Sequence, residues 1–139
     1  MKYQPTQYGY IVILVPGEEV ITSLTRFAEQ QLIRSGSITG IGAVEKSTLA
    51  YYDLDQKKYL PREFPDRMEL VSLQGNYAYL NGKPFVHCHI VISGLDFVAY
   101  SGHLMKATIS ATAEIFVTVT PNEISRGPDE LTGLNLIKL

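Results

Sequence analysis

Residues 77–92 read YAYLNGKPFVHCHIVI, and they give the clearest indication of a β-structure in the chain. Asn81-Gly82 is the strongest short signal for a β-hairpin, because both central residues of a type I′ turn need a positive φ. The flanking runs, 77–80 and 85–92, are rich in the aromatic and β-branched residues that strands favour. We therefore predict two antiparallel strands joined by a two-residue turn.

One amphipathic helix is predicted ahead of this hairpin. A first strand at 8–15 is ended by Pro16-Gly17, and apolar residues then recur at helical spacing from 20 to 32. Glu18 and Glu19 suit the positive end of the helix dipole. Gly36 suits a left-handed cap beyond the last turn, so we expect the helix to end near Arg34.

The remaining segments indicate strands. Residues 38–52 form either a long strand or a bent pair, with Gly40 and Gly42 marking bulges or close backbone approach. Further segments follow in order: a turn at 53–58, a loop at 62–67, a strand at 68–74, a short strand at 97–100, a long strand at 107–119 and an edge strand at 134–139. One helix and about eight strands predict an α+β domain, 1–139, with a mostly antiparallel or mixed sheet and the helix packed on one face.

The long strand at 107–119 has two different sides. Its odd-numbered residues from Ile109 onward, including Ala111, are apolar and are predicted to face the core. The other side, which carries Glu114 and Phe116, is half polar, and this suits a cavity or a subunit interface.

Composition narrows the functional classes. The chain has 139 residues, 45% of them apolar and 19% charged, as expected for one soluble globular domain. Its net charge is −2 and its basic residues form no run, so the footprint of a nucleic-acid-binding surface is weak. No apolar run can span a bilayer or act as a signal peptide. A single cysteine fits a reducing compartment, and cytoplasm is the expected location.

All three histidines, His87, His89 and His103, fall within one short stretch. Alternation along a strand puts His87 and His89 on one face and Cys88 on the other, and a turn at Gly102 can deliver His103 to the same place. We predict a transition-metal site for which zinc is the preferred ion and iron, nickel or copper are alternatives. Three protein ligands leave a fourth position for water, whose pKa near ~7 would make it a nucleophile. The alternative is a polar face of histidines bonded to their neighbours.

Other candidates are weaker. Glu114 is the one candidate catalytic residue, as a general base or a hydrogen-bond partner of a metal ligand, although a salt bridge or an interface contact explains it equally well. Asp96 suits a turn, and Cys88 suits the core. No Ser-His-Asp arrangement is present, because every histidine is assigned to the metal.

The sequence resembles the PPC domain family (plants and prokaryotes conserved), in its stand-alone prokaryotic type. The similarity covers nearly the whole chain from about Gly17 and rests on motifs in a fixed order: GIGAV (40–44), YYD (51–53), ELVSLQGN (69–76), GKPFVHCH (82–89), GHL (102–104), TAE (112–114) and TGLNL (132–136). It implies an α+β fold, a homotrimer, and a metal on His87, His89 and His103. Ser101 stands where the family usually has a second glycine.

Two functional classes remain after these observations. One is a metal-binding homotrimer that binds or acts on a small molecule. The other is a DNA-binding or regulatory module, which the family's plant members suggest. The Arg-Gly-Arg-Pro motif, which binds the DNA minor groove and precedes the domain in those plant proteins, does not occur in this sequence. The residues name neither a substrate nor a reaction.

Overall fold

The computed structural model describes residues 1–139 and contains one α-helix and nine β-strands. The elements in chain order are β1 (Lys2–Thr6), β2 (Gly9–Leu14), α1 (Val20–Gln30), β3 (Gly36–Asp53), β4 (Lys58–Phe64), β5 (Met68–Leu80), β6 (Lys83–Ser93), β7 (Ala99–Val119), β8 (Ser125–Pro128) and β9 (Asn135–Lys138). The predicted α+β class, with one helix on a mostly antiparallel sheet, is confirmed.

All nine strands belong to one sheet. Along its main path the order is β1-β2-β7-β3-β5-β8-β9, with β4 paired to β3 and β6 paired to both β5 and β7. Because β3, β5, β6 and β7 each pair with two others of this set, these four long strands close into a ring. Every pairing is antiparallel except the single bridge between Tyr79 and Ser125.

The predicted hairpin is present, and it fixes the register of the histidine strand. Asn81 has a φ of +53° and Gly82 a φ of +76°, as a type I′ turn requires. Leu80 lies opposite Lys83, and the ladder continues from there along β5 and β6. The turn residues therefore determine which residues of β5 lie opposite the histidines of β6.

Helix α1 packs its apolar side on the sheet. Its buried residues include Leu24 and Phe27, and the Glu19 side chain caps the first turn by accepting from two backbone N–H groups. The expected cap at Gly36 is wrong. Leu32 takes the positive φ, at +54°, and Gly36 is already in β3, where a side chain would overlap the Thr118 carbonyl oxygen.

Strand β7 is longer than predicted. It runs without interruption from Ala99 to Val119, because residues 99–103 pair with β6 and the later ones pair with β3 and β2. The predicted strand at 97–100 is the beginning of β7, and Phe97 lies in the preceding turn with a φ of +57°. Three other segments were not predicted as strands: β1, β4, which overlaps the expected loop at 62–67, and β8.

A bulge in β7 reverses one burial prediction. Gly42 of β3 lies opposite Ala113, whereas Val44, two residues on, lies opposite Ile109. The extra residues of β7 between these pairs break the alternation of the strand. Ile109 and Ala113 are buried as predicted, but Ala111 is exposed.

The core lies between α1 and the sheet and contains 23 buried residues. Tyr77 is among the largest of them, and its hydroxyl donates to the Leu24 carbonyl oxygen at 3.3 Å, which ties β5 to the helix. No helix in the structure is both long enough and apolar enough to cross a membrane.

Candidate metal centre

The ring of long strands brings the three histidines together. The β5–β6 register places His87 opposite Asn76, and the β6–β7 register places His89 opposite His103. The three ring centroids are 5.0 to 5.4 Å apart, and one ligand nitrogen from each ring lies within 4.8 Å of the other two. The structure therefore brings together the three histidines that the spacing predicted as metal ligands.

Cys88 points to the opposite side of β6. It belongs to the core, is 1% exposed, and has no disulfide partner. Burial raises the pKa of its thiol to about 12, so the sulfur keeps its proton. Its expected role as a small buried apolar residue is confirmed.

Burial keeps the rings of His87 and His103 neutral. Desolvation, followed by the charges of His103, Arg126 and His89, lowers the pKa of His87 to about 4. Desolvation also lowers the pKa of His103, with His89 and Arg126 as the further causes. Since a metal binds the neutral imidazole, these two side chains are in the binding-competent form throughout the neutral range.

Arg126 lies against the cluster from the C-terminal side of the fold. Its Nη2 donates to Asn76 Oδ1 at 2.8 Å and lies 3.2 Å from His87 Nδ1, while Nη1 donates to the Asn135 carbonyl oxygen at 3.0 Å. A guanidinium has no acceptor, so His87 Nδ1 must be the acceptor in that contact. The guanidinium is thus fixed on β8, beside one of the three candidate ligands.

The residues fit a metal ion on three grounds. No carboxylate belongs to the cluster, so the donor set is three imidazole nitrogens, which suits zinc and its transition-metal neighbours. His103 Nδ1 is shielded from solvent and has no hydrogen-bond partner. Leaving such an atom unpaired costs free energy, and a metal or a ligand would supply a partner. Tyr59 stacks on the His103 ring at 4.6 Å and fixes its plane.

A cavity of ≈360 Å³ opens beside the cluster. It contains the side chains of His87 and His103, and its other charged or aromatic lining residues are Tyr52, Lys57, Lys58, Tyr59, Phe85 and Arg126. A larger cavity of ≈710 Å³, around Arg62 and Tyr100, contains none of the three histidines. We place the candidate site at the smaller cavity because two of the three histidines, His87 and His103, line it.

Glu114 is not brought to this site. It lies on the exposed side of β7, opposite Ile13 of β2 and Ile41 of β3. His103 is on the same strand, roughly 35 Å away at ~3.3 Å per residue. Asp96 is also remote and forms a turn, since its Oδ1 accepts from the Val98 backbone N–H at 3.1 Å.

Sequence analysis missed Arg126 and Tyr59. Arg126 lies between the predicted strands at 107–119 and 134–139, where no element was predicted, and Tyr59 follows a turn that had no predicted link to the histidines. Neither residue belongs to a local motif. Only the pairing of β8 with β5 and of β4 with β3 brings them to the cluster.

We expect the metal-free protein to lose stability on mild acidification. The folded-state pKa of His87, about 4, is below its ordinary value of 6.5, so the unfolded chain takes up the proton first. The contribution of His87 to the free energy of unfolding should be fully present above pH 6.5, fall between 6.5 and about 4, and be lost below that. Urea denaturation in a chelator at several pH values measures this. In His87→Gln the slope should be smaller, and an equal slope in both proteins would contradict the assignment.

Fold and site together define a class of protein: an α+β domain with one nine-stranded sheet and a cluster of three imidazoles beside a basic cavity. Residues 1–121 match the Plants and Prokaryotes Conserved (PCC) domain. The chain belongs to this family, and the resemblance inferred from its motifs is confirmed.

Solved structures with this fold cover nearly the whole chain. A provisionally named DNA-binding protein from Ralstonia eutropha JMP134 is 32% identical, with a TM-score of 0.94, over 99% of this chain and 96% of its own. A PPC protein from Pyrococcus horikoshii is 28% identical, with a TM-score of 0.89, over 99% and 95%. A metal-containing protein from Archaeoglobus fulgidus is 31% identical, with a TM-score of 0.87, over 100% of both chains.

Among curated proteins, the chain is similar to the bifunctional protein GlmU of Synechococcus sp. (strain JA-3-3Ab). The two are 31% identical over 127 residues, which are 89% of this chain and 19% of that protein. The chain therefore spans about a fifth of the length of the curated relative.

Proposed function

We propose that this protein binds a transition metal ion, with zinc as the preferred ion, through His87, His89 and His103. We also propose that the metal centre binds or acts on a small molecule in the adjacent cavity. The observation that carries the proposal is the convergence of three ligand nitrogens within 4.8 Å of one another. The metal-containing relative from Archaeoglobus fulgidus, similar over the full length of both chains, supports it.

The ligand set also favours a particular use of the ion. Three neutral imidazoles suit Zn²⁺, and a tetrahedral ion with three protein ligands keeps one position for water or substrate. When bound, the ion would supply Lewis-acid chemistry at that position. The chain's own residues would orient the ligand there: Tyr59 holds the plane of His103, and Arg126 lies against His87.

Loading with Co²⁺, followed by dialysis and elemental analysis, tests the proposal. We expect one ion per chain and the visible absorption of a nitrogen-ligated cobalt site. The matched control is Cys88→Ala, which should load equally well because the thiol faces the core. A content below ~0.2 ions per chain, or a cobalt spectrum that changes in Cys88→Ala, would contradict the assignment.

We further propose that the chain forms a homotrimer through an exposed sheet face. This face combines apolar residues of four neighbouring strands: Ile11, Ile13, Ile41, Val71 and Phe116. Ile41, Val71 and Phe116 are each more than half exposed in the single chain. An apolar sheet face of this kind is typical of a surface that another protein covers. Glu114 lies within it, which supports the interface role that was an alternative for this residue.

Replacing Ile41 by lysine should dissociate such an assembly. A lysine in the middle of an apolar interface leaves a desolvated charge, and the cost is several kcal/mol. Light scattering should give three times the chain mass of 15.5 kDa for the parent and one chain mass for Ile41→Lys. Leu32→Lys, in the exposed turn after α1 on the other side of the sheet, is the control and should remain trimeric. A parent protein of one chain mass would refute the trimer.

The alternative proposal is a DNA-binding module, and its support is the name of the Ralstonia relative. The observation against it is the net charge of −2 with scattered cations. Duplex DNA titrated at low and at physiological salt decides between them. Binding through phosphates must weaken steeply with salt, and its absence at micromolar protein would remove this alternative.

A further inference from the structure

The cavity beside the histidines has an unusual charge balance. Three cationic side chains line it, Lys57, Lys58 and Arg126, and no aspartate or glutamate does. The cavity is therefore positive before any metal enters, and a divalent ion would add two further charges without a protein carboxylate to balance them.

Arg126 places one of these positive charges directly beside a proposed metal ligand. Its Nη2 is 3.2 Å from His87 Nδ1, so a metal on the His87 ring would lie within a few ångströms of the guanidinium. Like charges at such separations repel by an amount that matters for binding, even with substantial screening. A negatively charged group between the two cations would turn this repulsion into two attractions.

The tautomer of His87 leads to the same conclusion. Because Arg126 donates to Nδ1, the neutral ring carries its proton on Nε2. If Nε2 binds a metal, the proton must be on Nδ1, where it faces the donor of Arg126. If Nδ1 binds the metal, the ion occupies the position that Arg126 Nη2 now has, so the guanidinium must move. In both cases Arg126 loses His87 as an acceptor and needs another.

A donor of Arg126 is also still free. Its Nε is shielded from solvent and has no partner in the chain. Arginine binds carboxylate and phosphate groups through two parallel N–H donors, so a free Nε beside a released Nη2 has the geometry such groups use. The Tyr59 hydroxyl lies in the same wall and can donate as well.

The rest of the cavity accommodates an apolar body. Phe85 lies under the guanidinium, with Arg126 Cζ 5.3 Å from the ring centroid, and Met105, Leu134 and Leu136 complete the apolar part of the lining. The volume of ≈360 Å³ is that of a site for a small metabolite and excludes a macromolecule.

We propose that this cavity binds a small organic anion, whose carboxylate or phosphate group lies between Arg126 and the histidine-bound metal and whose apolar part packs on Phe85. The inference rests on the proposed metal site and names the chemical class of its ligand. Arg126 is the residue that selects the negative charge, and Lys57 and Lys58 steer it into the cavity.

Titration of the Co²⁺-loaded protein with three probes of one shape tests this proposal. Benzoate and phenylphosphonate carry the charge, and benzamide is the neutral match of benzoate. We expect the anions to change the cobalt absorption with saturation and benzamide to have no effect. The stronger of the two anions identifies the natural ligand as a carboxylate or a phosphate.

Replacing Arg126 should change two affinities in opposite directions, that for the anion and that for the metal. In Arg126→Gln, anion affinity should fall by roughly tenfold or more, because a charged bidentate partner is lost. Co²⁺ affinity should rise severalfold, because a repelling cation is removed. A purely structural role of Arg126 would lower both. Lys83→Gln, at the start of β6 outside the cavity, is the control and should change neither.

The outcomes separate the two proposals. If the protein loads Co²⁺ but neither anion acts at about 10 mM, the anion proposal is overturned and the metal site stands. If Arg126→Gln binds the anions as tightly as the parent, the proposal is equally overturned. If the protein does not load Co²⁺, the metal proposal fails, and calorimetry of benzoate on the metal-free chain decides. Binding that disappears in Arg126→Gln supports the anion site, and no binding overturns it.

Discussion

Replacing His103 by alanine is expected to abolish stoichiometric metal binding while leaving the metal-free fold intact. Three ligands on one face act as a chelate, so removing one costs more than the ~10- to 100-fold typical of a residue that only supports a ligand. The metal-free chain loses little, because the buried His103 Nδ1 has no partner and its removal deletes an unpaired polar atom. Equilibrium dialysis with Zn²⁺ and urea denaturation measure the two effects separately.

His89→Ala extends this prediction, because His89 is exposed whereas His103 is half buried. If the two histidines act only as structural side chains, replacing the half-buried His103 should lower the free energy of unfolding more than replacing the exposed His89. If both bind one ion, the two variants should lose the metal alike. Met105→Ala, on the same face of β7 as His103 but without a ligand atom of the set, is the matched control and should retain one ion per chain. Full occupancy in either histidine variant would refute the three-ligand site.

Gly75→Ala should damage both the fold and the site. Gly75 of β5 lies opposite Cys88 of β6, and an added Cβ would be 2.5 Å from Cys88 Sγ and 2.5 Å from the His87 carbonyl oxygen. The carbonyl is backbone and cannot rotate away, so the two strands must move apart. Overpacking of this kind costs about 1–3 kcal/mol. The displaced strand is the one that carries His87 and His89, so metal affinity should fall as well.

Two comparisons make the Gly75 prediction specific. Gly94→Ala is the control, because its Cβ would meet nothing closer than Met68 Cε at 3.4 Å, an ordinary contact, and stability should change by less than ~0.5 kcal/mol. The double variant Gly75→Ala, Cys88→Ala should recover only part of the loss, since the overlap with the His87 carbonyl remains. Denaturant unfolding provides the free energies, and a Gly75→Ala protein as stable as the parent would contradict the packing described.

The parts of the fold that local chemistry determines were predicted from the sequence. Asn81-Gly82 needs two positive φ values wherever it occurs, so the hairpin and its register could be inferred. Alternation along β6 likewise placed His87 and His89 together and sent Cys88 to the core. These inferences depend only on neighbours in the chain.

The features that were missed depend on distant strands. Ala111 is exposed because β7 bulges against β3, and nothing in residues 107–119 alone reveals a bulge set by the partner strand. Arg126 reaches the histidines because β8 adds to β5, and its local sequence has no site-like pattern. Glu114 was considered for the site because β7 was expected to neighbour the histidine strand, but its position along that strand puts it far from His103.

The ring of four long strands also has a consequence for how the protein folds. Its β5–β6 and β6–β7 sides are hairpins between consecutive strands, whereas its β3–β7 side joins Gly36 to Val119 across most of the chain. Pairing of distant strands is the slow part of folding, because the closure entropy must be overcome before the contacts form. The two hairpin sides are sufficient to bring the three histidines together, although His103 also lies opposite Ala50 of β3 in the finished ring. A metal captured by them would stabilise the local part of the sheet before the ring closes, so it should raise the folding rate and change the unfolding rate little.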